Sequence, residues 1–148
     1  MTTEEYWKKF CEKTGTDVNK THVEWAFGYT KEVANDLLEL VKKGDKRATT
    51  SAWELYEPGD YVPKVGDYNI ILDGDNNPGC ITQTKVSEVV TFDHVTAEHA
   101  YLEGEGDKTL KYWKKVHTDF FEKEYKEEGK VFNEEIQCLC EYFEIEFI

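Results

Sequence analysis

The alternation of helix-like and strand-like periods along the chain predicts a mixed α+β fold in one domain. Apolar residues recur at helical spacing from Lys31 to Lys43 and again from Leu110 to about Glu127. Asp67–Leu72, Ile81–Phe92 and Gln137–Phe147 instead carry the alternation and β-branched content of strands. The third observation is size: 148 residues without an internal repeat or low-complexity linker suit a single core. Four Trp, nine Tyr and eight Phe supply apolar bulk for that core despite the charge, so disorder is a poor reading.

Taken in order, Thr3 to Lys13 reads as a helix closed at Gly15, with Tyr6, Trp7 and Phe10 at helical spacing. A loop bearing His22, Trp25 and Phe27 follows. The next helix runs from Lys31 to Lys43, with Val33, Leu37, Leu40 and Val41 as its apolar stripe. Gly44 ends it, because glycine accepts the left-handed backbone that commonly closes a helix. Ala48–Trp53 reads as a strand, Glu57–Gly66 as a Pro/Gly-bearing loop, and Asp73–Gly79 as the turn of a hairpin between Asp67–Leu72 and Ile81–Phe92. Thr96 caps a short helix from Ala97 to Glu103. Asp107 is the cap candidate for the last helix, whose face carries Leu110, Trp113, His117, Phe120 and Phe121. The first 30 residues or so form an N-terminal helical extension on the domain.

Charge narrows the function. With 18 basic and 31 acidic residues the net charge is −13, which disfavours broad counterion release from duplex DNA or long RNA and suits a small or locally bound ligand. The N-terminus has no apolar leader and no run of about 18 apolar residues occurs, so a cytoplasmic location without membrane spanning is expected. Cys11, Cys80, Cys138 and Cys140 make no C-x-x-C and are expected as free thiols. Asp73-Gly-Asp-Asn-Asn opens like a calcium loop but has Pro78 and Thr84 where glycine and glutamate are needed. The four histidines show no metal spacing, and neither a metal nor another cofactor is indicated.

Two segments carry chemistry. Gly44-Asp-Lys-Arg-Ala-Thr-Thr50 holds the only arginine, an adjacent lysine and two hydroxyls; it reads either as a polar-ligand site or as a solvated turn entering a strand. Glu103-Gly-Glu-Gly-Asp107 places three acids between two helices, which cannot all be buried and charged cheaply; either one has a raised pKa and serves as an acid or base, or Asp107 caps the next helix and the glutamates stay solvated, the reading that suits Glu105. His117 reads as a packed core histidine. Trp25, Phe27 and Tyr29 read as a hydrophobic seam or as a stacking platform for a base.

These residues resemble the ASCH domain family, whose fold is the PUA-like β-barrel. The resemblance rests on Gly44-x-Lys46-x-x-Thr49, on Pro63-Lys-Val-Gly-Asp67, on Ala100-Tyr-Leu-Glu-Gly-Glu-Gly-Asp107, and on Trp113, His117, Phe120 and Phe121. It implies a small barrel flanked by helices and a connection with RNA or modified nucleosides. Small bacterial members include amidohydrolases that deacetylate N4-acetylcytidine with a Lys-x-x-Thr pair and a distant glutamate. By resemblance, Lys46 and Thr49 match the pair and Glu103 the glutamate, while Gly44, Arg47, Thr50 and Glu105 are expected to line the substrate site. The chain is longer than those amidohydrolases by its N-terminal region.

In that reading a partly desolvated Lys46 with a depressed pKa takes the proton of Thr49, which attacks the amide carbonyl. Glu103 either positions Lys46 or, protonated, donates to the leaving nitrogen. Thr50 is a spare hydroxyl on the opposite side of the strand from Thr49. The expected function is a hydrolase for a small nucleobase-type amide. Its rivals are a non-catalytic module that binds a modified nucleoside or short RNA, and a ribonuclease.

Overall fold

The computed structural model describes residues 1–148. Four helices, α1 (Thr3–Thr14), α2 (Lys31–Lys43), α3 (Ala97–Glu103) and α4 (Leu110–Glu127), surround five strands: β1 (His22–Trp25), β2 (Ala48–Ala52), β3 (Tyr68–Leu72), β4 (Pro78–Thr91) and β5 (Gln137–Phe147). Every helix begins on a threonine: Thr2, Thr30, Thr96 and Thr109 each accept the amide of the third helical residue at 3.1 Å. A side-chain oxygen there satisfies a donor that the first turn leaves without an intrahelical partner. α4 therefore starts on Thr109, not on Asp107. The Asp107 carboxylate instead accepts the Thr109 amide and hydroxyl, forming the turn that leads into the cap.

The sheet order is β1-β3-β4-β5-β2, with β1 parallel to β3 and all other pairs antiparallel. The long strands β4 and β5 form its spine. β1 and β2 are unpaired with each other, so the sheet stays open at this seam. Residues of both edges nevertheless line one pocket, which gives the sheet a barrel-like curl. The edge strand β1 falls within the region expected as a helical extension and loop. Its four residues are too few to show a period, and their pairing partner lies more than forty positions away.

Alternation on the strands sorts the core. Ile70, Leu72 and Ile81 meet Trp7, Phe10 and Cys11 of α1, while Ile71, Cys80 and Phe143 meet Leu38 and Val41 of α2 together with Phe27. Cys138 and Cys140 join Phe92, Trp113, Phe121 and Tyr125 beneath α4. On α2 the buried positions are Ala34, Leu38 and Val41, whereas Val33 is 41% exposed. All four cysteines are free and buried. No helix is long and apolar enough to cross a membrane.

One contact positions the loop after α3. Gly104 closes that helix with φ of 73°, and a Cβ there would stand 2.1 Å from the Asp45 carbonyl oxygen. The chain ahead of β2 thus runs directly against the end of α3, where the Arg47 amide also donates to the Leu102 carbonyl at 2.7 Å. Gly104→Ala is expected to cost about 3 kcal/mol in denaturant unfolding, combining left-handed strain with overpacking. A cost below about 1 kcal/mol would mean that the contact is slack.

Candidate functional site

Lys46 stands just before β2, and its side chain is almost wholly buried. Its ammonium donates to Glu103 Oε1 at 3.0 Å, Glu105 Oε2 at 3.0 Å, the Ala48 carbonyl at 3.0 Å and the Glu103 carbonyl at 3.3 Å. It also lies 5.2 Å from the centre of the Phe27 ring. Three donors face four acceptors, so no N–H is left unpaired.

Glu103, the last residue of α3, is equally buried. Its Oε2 accepts the Thr50 hydroxyl at 2.7 Å and the Trp113 indole N–H, and lies 3.4 Å from Nε2 of both His99 and His117. Thr50 in turn contacts His99 Nε2 at 2.7 Å. His117 stacks on Trp113 at 4.1 Å, its Nδ1 2.9 Å from the Trp113 carbonyl oxygen. Packing against the core and lining the site are thus the same act for His117.

The electrostatics follow from this closure. Burial alone would strip the charge from Lys46, but Glu103 and Glu105 overcome it and hold the ammonium charged above its ordinary range. Burial likewise works against the Glu103 carboxylate, yet Lys46, His99 and His117 drive it far below the usual carboxylate range. His99 is raised to about 9; burial opposes its charge, and the Cys140 sulfur and Glu103 outweigh that. We assign the larger part to Glu103, whose Oε2 lies 3.4 Å from Nε2 of His99. The depressed lysine pKa expected from the sequence is therefore corrected, as is a protonated Glu103: each is the other's counter-ion.

One cavity of about 180 Å³ is lined by Lys46, Thr49, Thr50, Glu103, Glu105 and His117, among others. Of the two hydroxyls, Thr50 is the one bonded to Glu103, while Thr49 has no hydrogen bond within the protein. Strand alternation, with β2 buried at Ala48, Thr50 and Ala52 and half-buried at Thr49 and Ser51, accounts for the difference. Gly44 and Arg47 do not line this cavity. Gly44 is the left-handed cap of α2, and Arg47 is exposed, attached to the fold through its backbone. Phe27 is buried seam, and Tyr29 is exposed, stacked on Phe120 at 5.3 Å.

Sequence reasoning used His99 only to mark the segment that ends at Glu103, without giving it a role, and passed over Glu141. His99 could have been found from its place four residues before Glu103 on α3, one helical turn away. Glu141 lies on β5 directly opposite Thr49, 5% exposed, with no hydrogen-bond partner, and lines a separate pocket between the sheet edges. Only a structure shows an acid in the middle of a buried strand as isolated.

The family model described as the ASCH domain matches residues 23–146. No curated protein matches the chain. Among solved structures, the ASCH domain of Lactobacillus crispatus JV V101 is 27% identical, covers 97% of this chain and 96% of its own, and superposes with a TM-score of 0.87. Protein EF3133 of Enterococcus faecalis V583, carrying the family model DUF984, is 32% identical over 99% of this chain and 93% of its own, also at 0.87. The hypothetical protein PH0355, 20% identical over 84% of this chain and all of its own at a TM-score of 0.54, shares the fold alone.

Lys46→Met is expected to cost about 3–5 kcal/mol in equilibrium unfolding, because it leaves Glu103 and Glu105 without their counter-ion. Adding Glu103→Gln should restore part of that loss; two additive losses would sink the coupling. The His99 shift has its own sign. A histidine raised in the folded state contributes stability fully present below about pH 6.5, the unfolded value, and lost as pH rises through about 9. Denaturation midpoints are expected to fall across that window, and His99→Gln should flatten the fall.

Proposed function

Starting from the fact that the chain belongs to the ASCH domain family, we propose that it is a hydrolase acting on a small nucleobase-type amide, such as an N4-acylated cytidine. The observation that carries this reading is the shared cavity: Lys46, Glu103, Glu105 and Thr49, whose hydroxyl has no hydrogen bond, all line one space. In this reading Thr49 attacks the acyl carbon. Lys46 acts as a fixed positive charge that stabilises the oxyanion, a role its carboxylate partners favour over proton acceptance. Glu103, ionised, holds Lys46 and Thr50 in place. Glu105 keeps 24% of its side chain exposed, so it is the carboxylate available to take the Thr49 proton and return it to the leaving nitrogen. The acyl-threonine ester then yields to water by the same proton route.

One observation favours a second reading, a module that binds a modified nucleoside or short RNA without turnover. Every Lys46 donor already has an acceptor, as befits a structural ion pair. A panel of N4-acylated cytidines and short RNAs separates the two. The hydrolase reading expects release of the carboxylic acid, abolished by Thr49→Ala and reduced about 10²–10⁴-fold in kcat by Glu105→Gln. No turnover of any acylated cytidine, together with salt-sensitive RNA binding, would leave the binding module.

A further inference from the structure

We propose that the pocket between the two open edges of the sheet is a binding site for a small organic ammonium ion, held by the Glu141 carboxylate between the rings of Trp25, Tyr56 and Tyr61. The pocket encloses about 400 Å³ and is walled by β1, β2, β5 and the segment after β2, a size common for small-molecule sites. It is separate from the Lys46 cavity, and Thr49 borders both.

The polar atoms of the pocket decide its ligand. The three aromatic residues have their polar ends engaged elsewhere: the Trp25 indole donates to Asn69 Oδ1 at 3.2 Å, the Tyr56 hydroxyl pairs with Ser51 Oγ at 2.9 Å, and the Tyr61 hydroxyl donates to Asp67. Ring surface is what they leave to the pocket. Thr49, Glu24 and Glu141 remain without side-chain partners, and no lysine, arginine or histidine lines the space. Glu141 is 5% exposed, yet its oxygens are not among the sealed, partnerless atoms of the interior, which are Thr82 Oγ1 and Glu124 Oε1. Its carboxylate therefore opens onto the pocket.

An anion would meet the Glu141 carboxylate with no cation to offset it. An apolar guest would seal Glu141 away from water without a partner, which is costly. A cation satisfies both the carboxylate and the rings, whose negative faces attract it. The isolation of Glu141 also shows in its proton affinity, which burial pushes up to about 7. Around it stand Thr49 on β2, Ser87 on β4, and Tyr56 and Tyr61, whose phenols burial raises above their ordinary range, while Glu24 borders the pocket from the edge strand β1. A bound cation favours ionised Glu141, so affinity follows its titration.

The test uses the whole protein, trimethylammonium as the probe and tert-butanol as its uncharged analogue, at constant ionic strength. Binding is read from the Trp25 indole N–H resonance, assigned with Trp25→Phe. The expected result is saturable binding of trimethylammonium alone, with affinity rising about tenfold per pH unit below 7 and levelling above it. Glu141→Gln should lower the affinity at pH 8 at least tenfold and abolish the pH dependence, and thermal unfolding checks that the variant folds. Should it not fold, Tyr61→Ala at the exposed rim is expected to weaken binding severalfold. No saturable response, an equal response to tert-butanol, or affinity independent of pH would each overturn the proposal, whatever the acylated cytidines show.

Discussion

The Lys46–Glu103 ion pair is the constraint around which this half of the molecule is arranged. Both side chains are nearly inaccessible, and moving such charges out of water costs several kcal/mol each unless they are paired and hydrogen-bonded. The fold meets that demand from four directions. The approach to β2 brings the ammonium, the end of α3 brings the carboxylate, the loop after α3 brings Glu105, and α4 brings Trp113 and His117. Gly104 follows because the α3 end must lie against Asp45 for the two charges to meet. Removing either Lys46 or Glu103 leaves the other charge buried without its partner, so the site and the stability of the fold rest on the same atoms.

That constraint also limits the chemistry. A lysine held between two carboxylates is a permanent cation, and a glutamate held by a lysine and two histidines is a permanent anion. Neither exchanges protons easily near neutral pH. In the hydrolase reading, proton transfer therefore falls to the margin of the pair, where Glu105 keeps contact with solvent and the Thr49 hydroxyl has no hydrogen bond. β2 divides these duties by its period of two: Thr50 turns inward to the ion pair, whereas Thr49 shares its side of the strand with Glu141. A single short strand thereby borders two electrostatically different spaces.

Local patterns in the sequence were sufficient for most elements. The range Lys31–Lys43 for α2 and Gln137–Phe147 for β5 follow from apolar period and terminating residues alone. What escaped was non-local. β1 has no pattern of its own and exists because β3 offers it an edge. The start of α4 moved from Asp107 to Thr109 because two adjacent side chains compete for one role. At the site, the company of Lys46 and Glu103 was legible through family resemblance. The charge states were not, since a depressed lysine follows from burial alone and a raised one from burial with two carboxylates. Glu141 was invisible for the related reason that isolation is a property of surroundings.

The −13 charge takes on a different meaning in this light. The sequence placed the only arginine beside Lys46 and so suggested a local cationic pocket within an acidic protein. In the fold Arg47 points away into solvent and Lys46 is neutralised by the acids that surround it. The cavity around the ion pair therefore has little surplus positive charge to offer a phosphate, and the pocket between the sheet edges has only negative charge to offer. A polyanionic RNA backbone finds no track in either place, whereas an uncharged nucleobase at the first and a small cation at the second meet no such penalty.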